Sequence, residues 1–195
     1  MSREVAAVIL AAGHGRRYRE ACEQDLDKLM AVCTGLDGVR RSVFEQVLVN
    51  LGQPVARRLV VTRPERHGVI ELAQRYGCEI ILLASAGMGD SLAAAIAASP
   101  GQAGWLVLLG DMPWVRPASL QAVLDAMQPA YISVACGAQG YGHPVGFGSA
   151  YGAGLLGLSG DQGAKRLFCA GQVVPVPTDD PGIYRDVDLP ADVPD

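Results

Sequence analysis

Short apolar runs rich in β-branched residues alternate along this chain with longer stretches of helical period, and the alternation continues almost to the C-terminus. Strand-length runs separated by helix-length segments form βαβ units, which constrains the chain to a largely parallel sheet. The predicted strands are residues 5–10, 58–61, 79–83, 105–109, 131–135, 172–176 and 183–187. Most are apolar throughout, as strands covered on both faces must be. Val39, Val43, Phe44, Val47, Leu48 and Leu51 form an apolar stripe at helical spacing and predict a helix that stops at Gly52. Pro64 opens a second helix ending near Gly77, Asp90 begins a third through Ala98, and Pro117 begins a fourth through Met127. The glycine-rich stretch 137–163 breaks the alternation and is expected to be a loop or hairpin excursion, followed by a short helix near 164–169. The expected fold class is therefore α/β in three layers, a mostly parallel sheet with helices on both faces. At 195 residues the chain is expected to be one domain, 1–195.

Composition removes several classes of function. With 50% hydrophobic and 18% charged residues, there is ample material for a buried core. Sixteen Lys and Arg against twenty Asp and Glu leave a net charge of -4, without the electrostatic footprint of a phosphate-backbone binder, so nucleic acid is not an expected partner. No apolar window is long enough to span a membrane, and the first residues carry Arg3 and Glu4 rather than a signal pattern, so a soluble, cytoplasmic protein with no membrane partner is expected. Cys22, Cys33, Cys78, Cys136 and Cys169 stand singly, which predicts free thiols rather than disulfides or a zinc site.

Open parallel sheets bind ligands beyond the carboxyl ends of their strands. Three predicted strand ends carry unusual residues: Leu10 runs into Ala11-Ala12-Gly13, Leu83 leads to Gly87-Met88-Gly89-Asp90-Ser91, and Leu109 runs into Gly110-Asp111-Met112-Pro113. They are expected to lie side by side. Small residues after a buried strand let a ligand approach the backbone, where free N–H groups can cradle phosphate oxygens. Arg17 and Lys28 would add the fixed positive charge a triphosphate needs.

Asp111, at the end of a buried strand, suffers a desolvation penalty that a divalent cation would offset. Mg²⁺ usually takes one or two carboxylates, with substrate phosphates and water completing its shell. The alternative is that Asp111 caps the turn ahead of Pro113. Asp186 and Asp188 share a face if 183–187 is a strand, and either could be a second metal ligand or a cap for a C-terminal turn. His143, between Gly142 and Pro144, is expected in a rigid exposed loop where it can read a substrate head group. His67 is expected mid-helix and solvated, and Asp161 looks like the N-cap of the helix beginning at Ala164.

Taken in order, Leu10-Ala11-Ala12-Gly13 with Arg17 and Lys28, Gly87-Met88-Gly89-Asp90-Ser91-Leu92, Gly110-Asp111-Met112-Pro113, Gly142-His143-Pro144-Val145, Leu158-Ser159-Gly160-Asp161 with Gly163-Ala164, and Asp186-Val187-Asp188-Leu189-Pro190 resemble the MobA-like nucleotidyltransferases. The chain looks most like the molybdenum-cofactor cytidylyltransferase branch, over nearly its whole length. The resemblance implies a Rossmann-like, glycosyltransferase-A-like nucleotidyltransferase fold. It also implies Mg²⁺-dependent transfer of CMP from CTP to molybdopterin cofactor with release of pyrophosphate. On that resemblance Leu10, Ala11, Ala12 and Gly13 would hold base and ribose, with Gly15 in the same nucleotide-binding loop. Arg17 and Lys28 would hold the triphosphate, Asp111 the metal with Asp188 as a second contact, Gly87 and Ser91 would line the nucleotide pocket, and His143 would face the acceptor. A xanthine-dehydrogenase-type molybdoenzyme is the recipient the resemblance suggests. The rival readings are a guanylyltransferase or sugar-phosphate nucleotidyltransferase on the same fold, and a non-enzymatic carrier or chaperone for the cofactor.

The chain departs from the family pattern between Arg17 and Lys28, where the connection is longer and carries Glu20, Glu23, Asp25 and Asp27. These acids are expected on an exposed lid, facing water. The stretch 33–41 is also longer than the pattern.

Overall fold

The computed structural model describes residues 4–22, 26–84 and 87–193, so the expectations for Arg3, Glu23 and Asp25 lie outside the described residues. In chain order the strands are β1 (Val5–Ala11), β2 (Val32–Thr34), β3 (Arg40–Ser42), β4 (Arg57–Thr62), β5 (Glu79–Leu82), β6 (Gly104–Leu109), β7 (Tyr131–Gly137), β8 (Gly140–Gly148) and β9 (Gln172–Pro177). The helices are α1 (Arg16–Ala21), α2 (Val43–Leu51), α3 (His67–Arg75), α4 (Met88–Ala98), α5 (Pro117–Ala126), α6 (Gly152–Leu156) and α7 (Lys165–Ala170).

A seven-stranded sheet runs in the order β5-β4-β1-β6-β8-β7-β9, with β2 and β3 forming a separate antiparallel pair. Every pairing from β5 to β6 is parallel, and only β8 runs against its neighbours β6 and β7. The glycine-rich excursion is thus a hairpin, β7 turning at Gly140 (φ +96°) into β8. The expected three layers follow from the apolar runs. One face of the sheet packs Val43, Phe44, Val47 and Leu48 of α2, Val69 and Leu72 of α3, and Leu120 and Val123 of α5. The other packs Leu92, Ala95 and Ile96 of α4 with Leu155 of α6. Each fully buried side chain of this size contributes about 1.5–3 kcal/mol relative to exposure, which makes the sheet between them rigid.

Several local expectations are corrected. The helix expected from Val39 begins only at Val43, because the Ser42 hydroxyl caps it by accepting from Glu45 N at 3.2 Å. Val39 instead belongs to the β2–β3 hairpin, whose turn is held by Gly35 N donating to Val39 O. The second helix starts at His67 rather than Pro64, which puts His67 at the helix start, exposed. The helix after residue 163 is capped at Ala164 with no side-chain cap, so Asp161 is not its N-cap.

The stretch 183–187 is not a strand. Asp180, 2% exposed, accepts from Gly182 N at 2.8 Å and turns the chain into a 3-10 helix, Pro181–Tyr184. The same carboxylate accepts from Arg116 N at 2.7 Å and Ser119 Oγ at 2.8 Å, fastening the C-terminal segment to the start of α5. Beyond it Tyr184 Oη accepts from Gly137 N of β7 at 2.9 Å and donates to Gly140 O of β8 at 2.6 Å, and Val187 N donates to Asp111 O, just past β6, at 2.9 Å. The shared face expected for Asp186 and Asp188 therefore does not arise from strand alternation.

Asp180→Ala should remove three charge-assisted bonds and leave buried donors unmatched, destabilising the protein by about 2–4 kcal/mol in chemical denaturation.

Candidate active site

At the carboxyl end of β1 the chain leaves the sheet as Ala12-Gly13-His14-Gly15, and Gly15 (φ 61°) takes the left-handed conformation that starts α1. This loop forms one wall of a cleft of ≈ 1230 Å³, open mouth included. The cleft brings together Leu10, Ala11, Ala12, Gly13, Gly15, Arg17, Lys28, Gly87, Ser91, Asp111 and Asp188. His143 does not line it. The histidine sits in β8 rather than in an exposed loop, beside Leu109, Met112, Val115 and Pro144. Its Nδ1 is buried without a partner, and burial lowers its pKa.

Of the three strand ends expected side by side, those of β1 and β6 are neighbours, whereas β4 separates β5 from β1. Gly87 and Ser91 still reach the cleft because α4 starts close to another loop. Asp90 Oδ1 accepts from Gly160 N at 3.1 Å, and Gly89 N donates to Gly160 O at 2.8 Å. The two backbones are so close that a Cβ on Gly87 would stand 2.1 Å from the Gly160 carbonyl carbon. The glycines of the Gly87-Met88-Gly89 motif are thus explained by backbone packing.

The loop carrying Asp111 is fixed from below by α2. Asn50 Nδ2 donates to Pro113 O at 2.8 Å and to Val115 O at 3.0 Å, while its Oδ1 accepts from the buried Gln46 at 2.7 Å. Polar groups buried this deeply are stable because they are satisfied, and they hold one loop geometry.

Charge converges at the mouth of the cleft. Lys28 Nζ lies 2.6 Å from Asp111 Oδ2 and 3.3 Å from Asp188 Oδ1, and Arg17 Nη1 lies 2.9 Å from Asp188 Oδ2. Burial alone would lower the Lys28 pKa, but the two carboxylates outweigh it and raise it. Burial would raise the Asp188 carboxyl, but Lys28 and Arg17 hold it below the usual range. Asp111 is therefore not a turn cap, and Asp188 rather than Asp186 meets Lys28. Asp186 is exposed, and its pKa is raised by partial burial and then by Asp111 and Asp188.

The donor set fits a hard divalent cation. Two carboxylates converge on one ammonium position, so their oxygens already face a common point, and no cluster of three or more acidic, His or Cys ligands occurs among the described residues. Such a site leaves the remaining positions to phosphates and water.

The longer connection between Arg17 and Lys28 is not wholly turned to water. Asp27 caps the Lys28–Met30 turn by accepting from Leu29 N at 3.1 Å and pairs with Arg66 Nε at 3.3 Å. Arg66 itself lines the cleft, as do His14, Arg16, Tyr18, Leu29, Met88, Leu109 and Asp161. Sequence reasoning missed Arg66; its place directly after a strand flanking β1 was the available signal.

Gly87→Ala should push the start of α4 away from Gly160 and weaken nucleotide binding roughly tenfold or more, measured by titration calorimetry, because small displacements of a positioning wall are costly.

The MobA-like NTP transferase domain matches residues 7–174. The purine catabolism protein PucB of Bacillus subtilis (strain 168) is 30% identical over 122 residues; the match covers 60% of this chain and 59% of that protein, so the chain spans less than two thirds of this relative. The crystal structure of the Rv0371c homologue from Mycobacterium sp. strain JC1 superposes with a TM-score of 0.81 at 26% identity, covering 98% of this chain and 94% of that one. Rv0371c of Mycobacterium tuberculosis H37Rv, in complex with manganese, superposes at a TM-score of 0.70 and 23% identity, covering 97% and 95%, and shares the fold. No helix among the described residues is long and apolar enough to cross a membrane. The chain belongs to the MobA-like NTP transferase family and has the Rossmann-like fold its motifs imply.

Proposed function

We propose that this chain, acting as one domain, transfers CMP from CTP to the molybdopterin cofactor and releases pyrophosphate, with Mg²⁺ as its metal. The observation that carries the reading is the convergence of Asp111 and Asp188 on Lys28 at the mouth of the cleft formed by the Leu10–Gly13 loop. The choice of acceptor rests on the ordered motifs shared with the cytidylyltransferase branch, Gly142-His143-Pro144-Val145 among them.

In this reaction a phosphate oxygen of the acceptor attacks the α-phosphorus of CTP, a P–O bond forms, and the bond to the departing pyrophosphate breaks. No covalent enzyme intermediate is needed, so the protein contributes orientation and charge neutralisation. Asp111 and Asp188 would hold the metal, which when bound neutralises phosphate charge and aligns the reacting oxygens. Lys28, buried to 9% exposure, carries a fixed cationic charge to the triphosphate end of the cleft. Arg17 adds a second, more exposed charge, and solvent screening makes its pair with Asp188 individually weak. Gly87 and Ser91 close the nucleotide side; the Ser91 hydroxyl is itself occupied, donating to Gly87 O at 3.2 Å, so Ser91 shapes the wall. His143, which sits in β8 and does not line the cleft, keeps its acceptor-side role on the motif resemblance alone.

The local concentration of cationic groups reconciles an anionic ligand with a chain of net charge -4. PucB is named for purine catabolism. A xanthine-dehydrogenase-type enzyme oxidises purines, so a recipient of that type for the finished cofactor is in keeping with this relative.

The test is pyrophosphate release with Mg²⁺ and molybdopterin cofactor, supplying CTP, GTP, ATP and UTP separately. CTP-selective turnover that falls about a hundredfold or more in Asp111→Asn is expected, since metal-assisted charge stabilisation is worth several kcal/mol. Turnover of another nucleotide would assign the chain to a guanylyltransferase or sugar-phosphate reading. Cofactor retention without any turnover would assign it to a carrier.

A further inference from the structure

At the end of β1 most backbone acceptors are occupied, Ala12 O being the exception among the described residues. Leu10 O accepts from Gly110 N at 2.9 Å, and Ala11 O accepts from Arg66 Nη1 at 2.8 Å and from Thr62 Oγ1 at 3.3 Å. Gly13 O accepts from Arg66 Nη2, His14 O from Arg19 Nη2, and Gly15 O from Arg19 N. By contrast, the amides of Ala12, Gly13 and His14 donate to no protein acceptor among the described residues. A wall of the nucleotide cleft therefore presents N–H groups with few carbonyls beside them.

Arg66 is central to this asymmetry. Its side chain is 9% exposed, it takes two loop carbonyls at once with a planar fork, and its Nε is held at 3.3 Å by Asp27. We propose that Arg66 is a positioning residue for base selection: by occupying the Ala11 and Gly13 carbonyls on either side of Ala12 it leaves the loop a surface in which donors outnumber acceptors, which reads a base edge rich in acceptors. This rests on the nucleotide-binding reading of the cleft. Cytosine presents adjacent acceptors at O2 and N3. Uracil places an N–H at position 3, and guanine places donors at N1 and N2. Either would set donor against donor, leaving buried polar groups unmatched, which is how a site rejects a near-isostere. The cleft thus selects CTP over UTP and GTP through backbone amides, with Arg66 acting through the loop rather than on the base.

The experiment measures dissociation constants of the Mg²⁺ complexes of CTP, UTP, GTP and ATP for the wild-type chain, Arg66→Met and Arg66→Lys, alongside their thermal unfolding. The expected result is wild-type preference for CTP over UTP and GTP. Arg66→Met should lower both ratios tenfold or more by freeing the Gly13 carbonyl and leaving Ala11 O only its longer bond from Thr62, and Arg66→Lys should give an intermediate ratio, since an ammonium cannot fork. A merely structural role would weaken all four nucleotides together and leave the ratios unchanged, and that result in a folded variant overturns the proposal. Wild-type preference for GTP or UTP also overturns it, whatever the variants do, while leaving a nucleotide site in place. Failure of the wild type to bind any of the four overturns it together with the nucleotide reading of the cleft.

Discussion

The site depends on one buried ammonium held between two carboxylates, one from the middle of the chain and one from near its C-terminus. Lys28 follows the β1 loop, Asp111 follows β6, and Asp188 lies in the C-terminal segment, yet Nζ lies within 3.3 Å of both acids. Lys28 is 9% exposed, and a charge so placed is stable only with partners in reach. The rest of the structure positions those partners. Asn50 and Gln46 fix the loop behind Asp111 from α2, and Asp180 fastens the segment before Asp188 to α5. Val187 N completes the arrangement by bonding Asp111 O directly. Removing any of these supports moves a charge rather than merely a surface.

A second constraint is the close approach of backbones around the cleft. Gly87 and Gly89 abut the loop at 159–162, and Gly182 stands where a Cβ would be 2.0 Å from Trp114 O. Such contacts place loops within a fraction of an ångström without spending side chains on the task.

The sheet was legible because its central strands are continuous apolar runs, and β1, β4, β6 and β9 lie within a residue or so of their expected bounds. The acids and cations of the site were legible too, since Asp111 and Lys28 are conspicuous beside apolar strands. Tertiary context decided the rest. Val39 has helical spacing relative to Val43, but a serine cap at Ser42 outweighs periodicity, and the residues before it pair as a hairpin. Residues 183–187 alternate like a strand, yet the Asp180 cap and Pro181 start a 3-10 turn there. His143 reads as a loop residue between Gly142 and Pro144, but strand pairing with β6 and β7 carries it inside. Arg66 looks like a surface arginine in a charged stretch; only the folded loop shows it bound to two carbonyls.

The central claim is that Asp111 and Asp188 form one metal–triphosphate site with Lys28. The most direct measurement is the binding of Mn²⁺, as a stand-in for Mg²⁺, followed by the paramagnetic resonance signal of the free ion with and without CTP. The account requires a single Mn²⁺ per chain that binds more tightly when CTP is present, with that enhancement lost in Asp188→Asn. Equal enhancement in the wild type and Asp188→Asn would contradict it, and would move the metal away from the point where these two carboxylates converge.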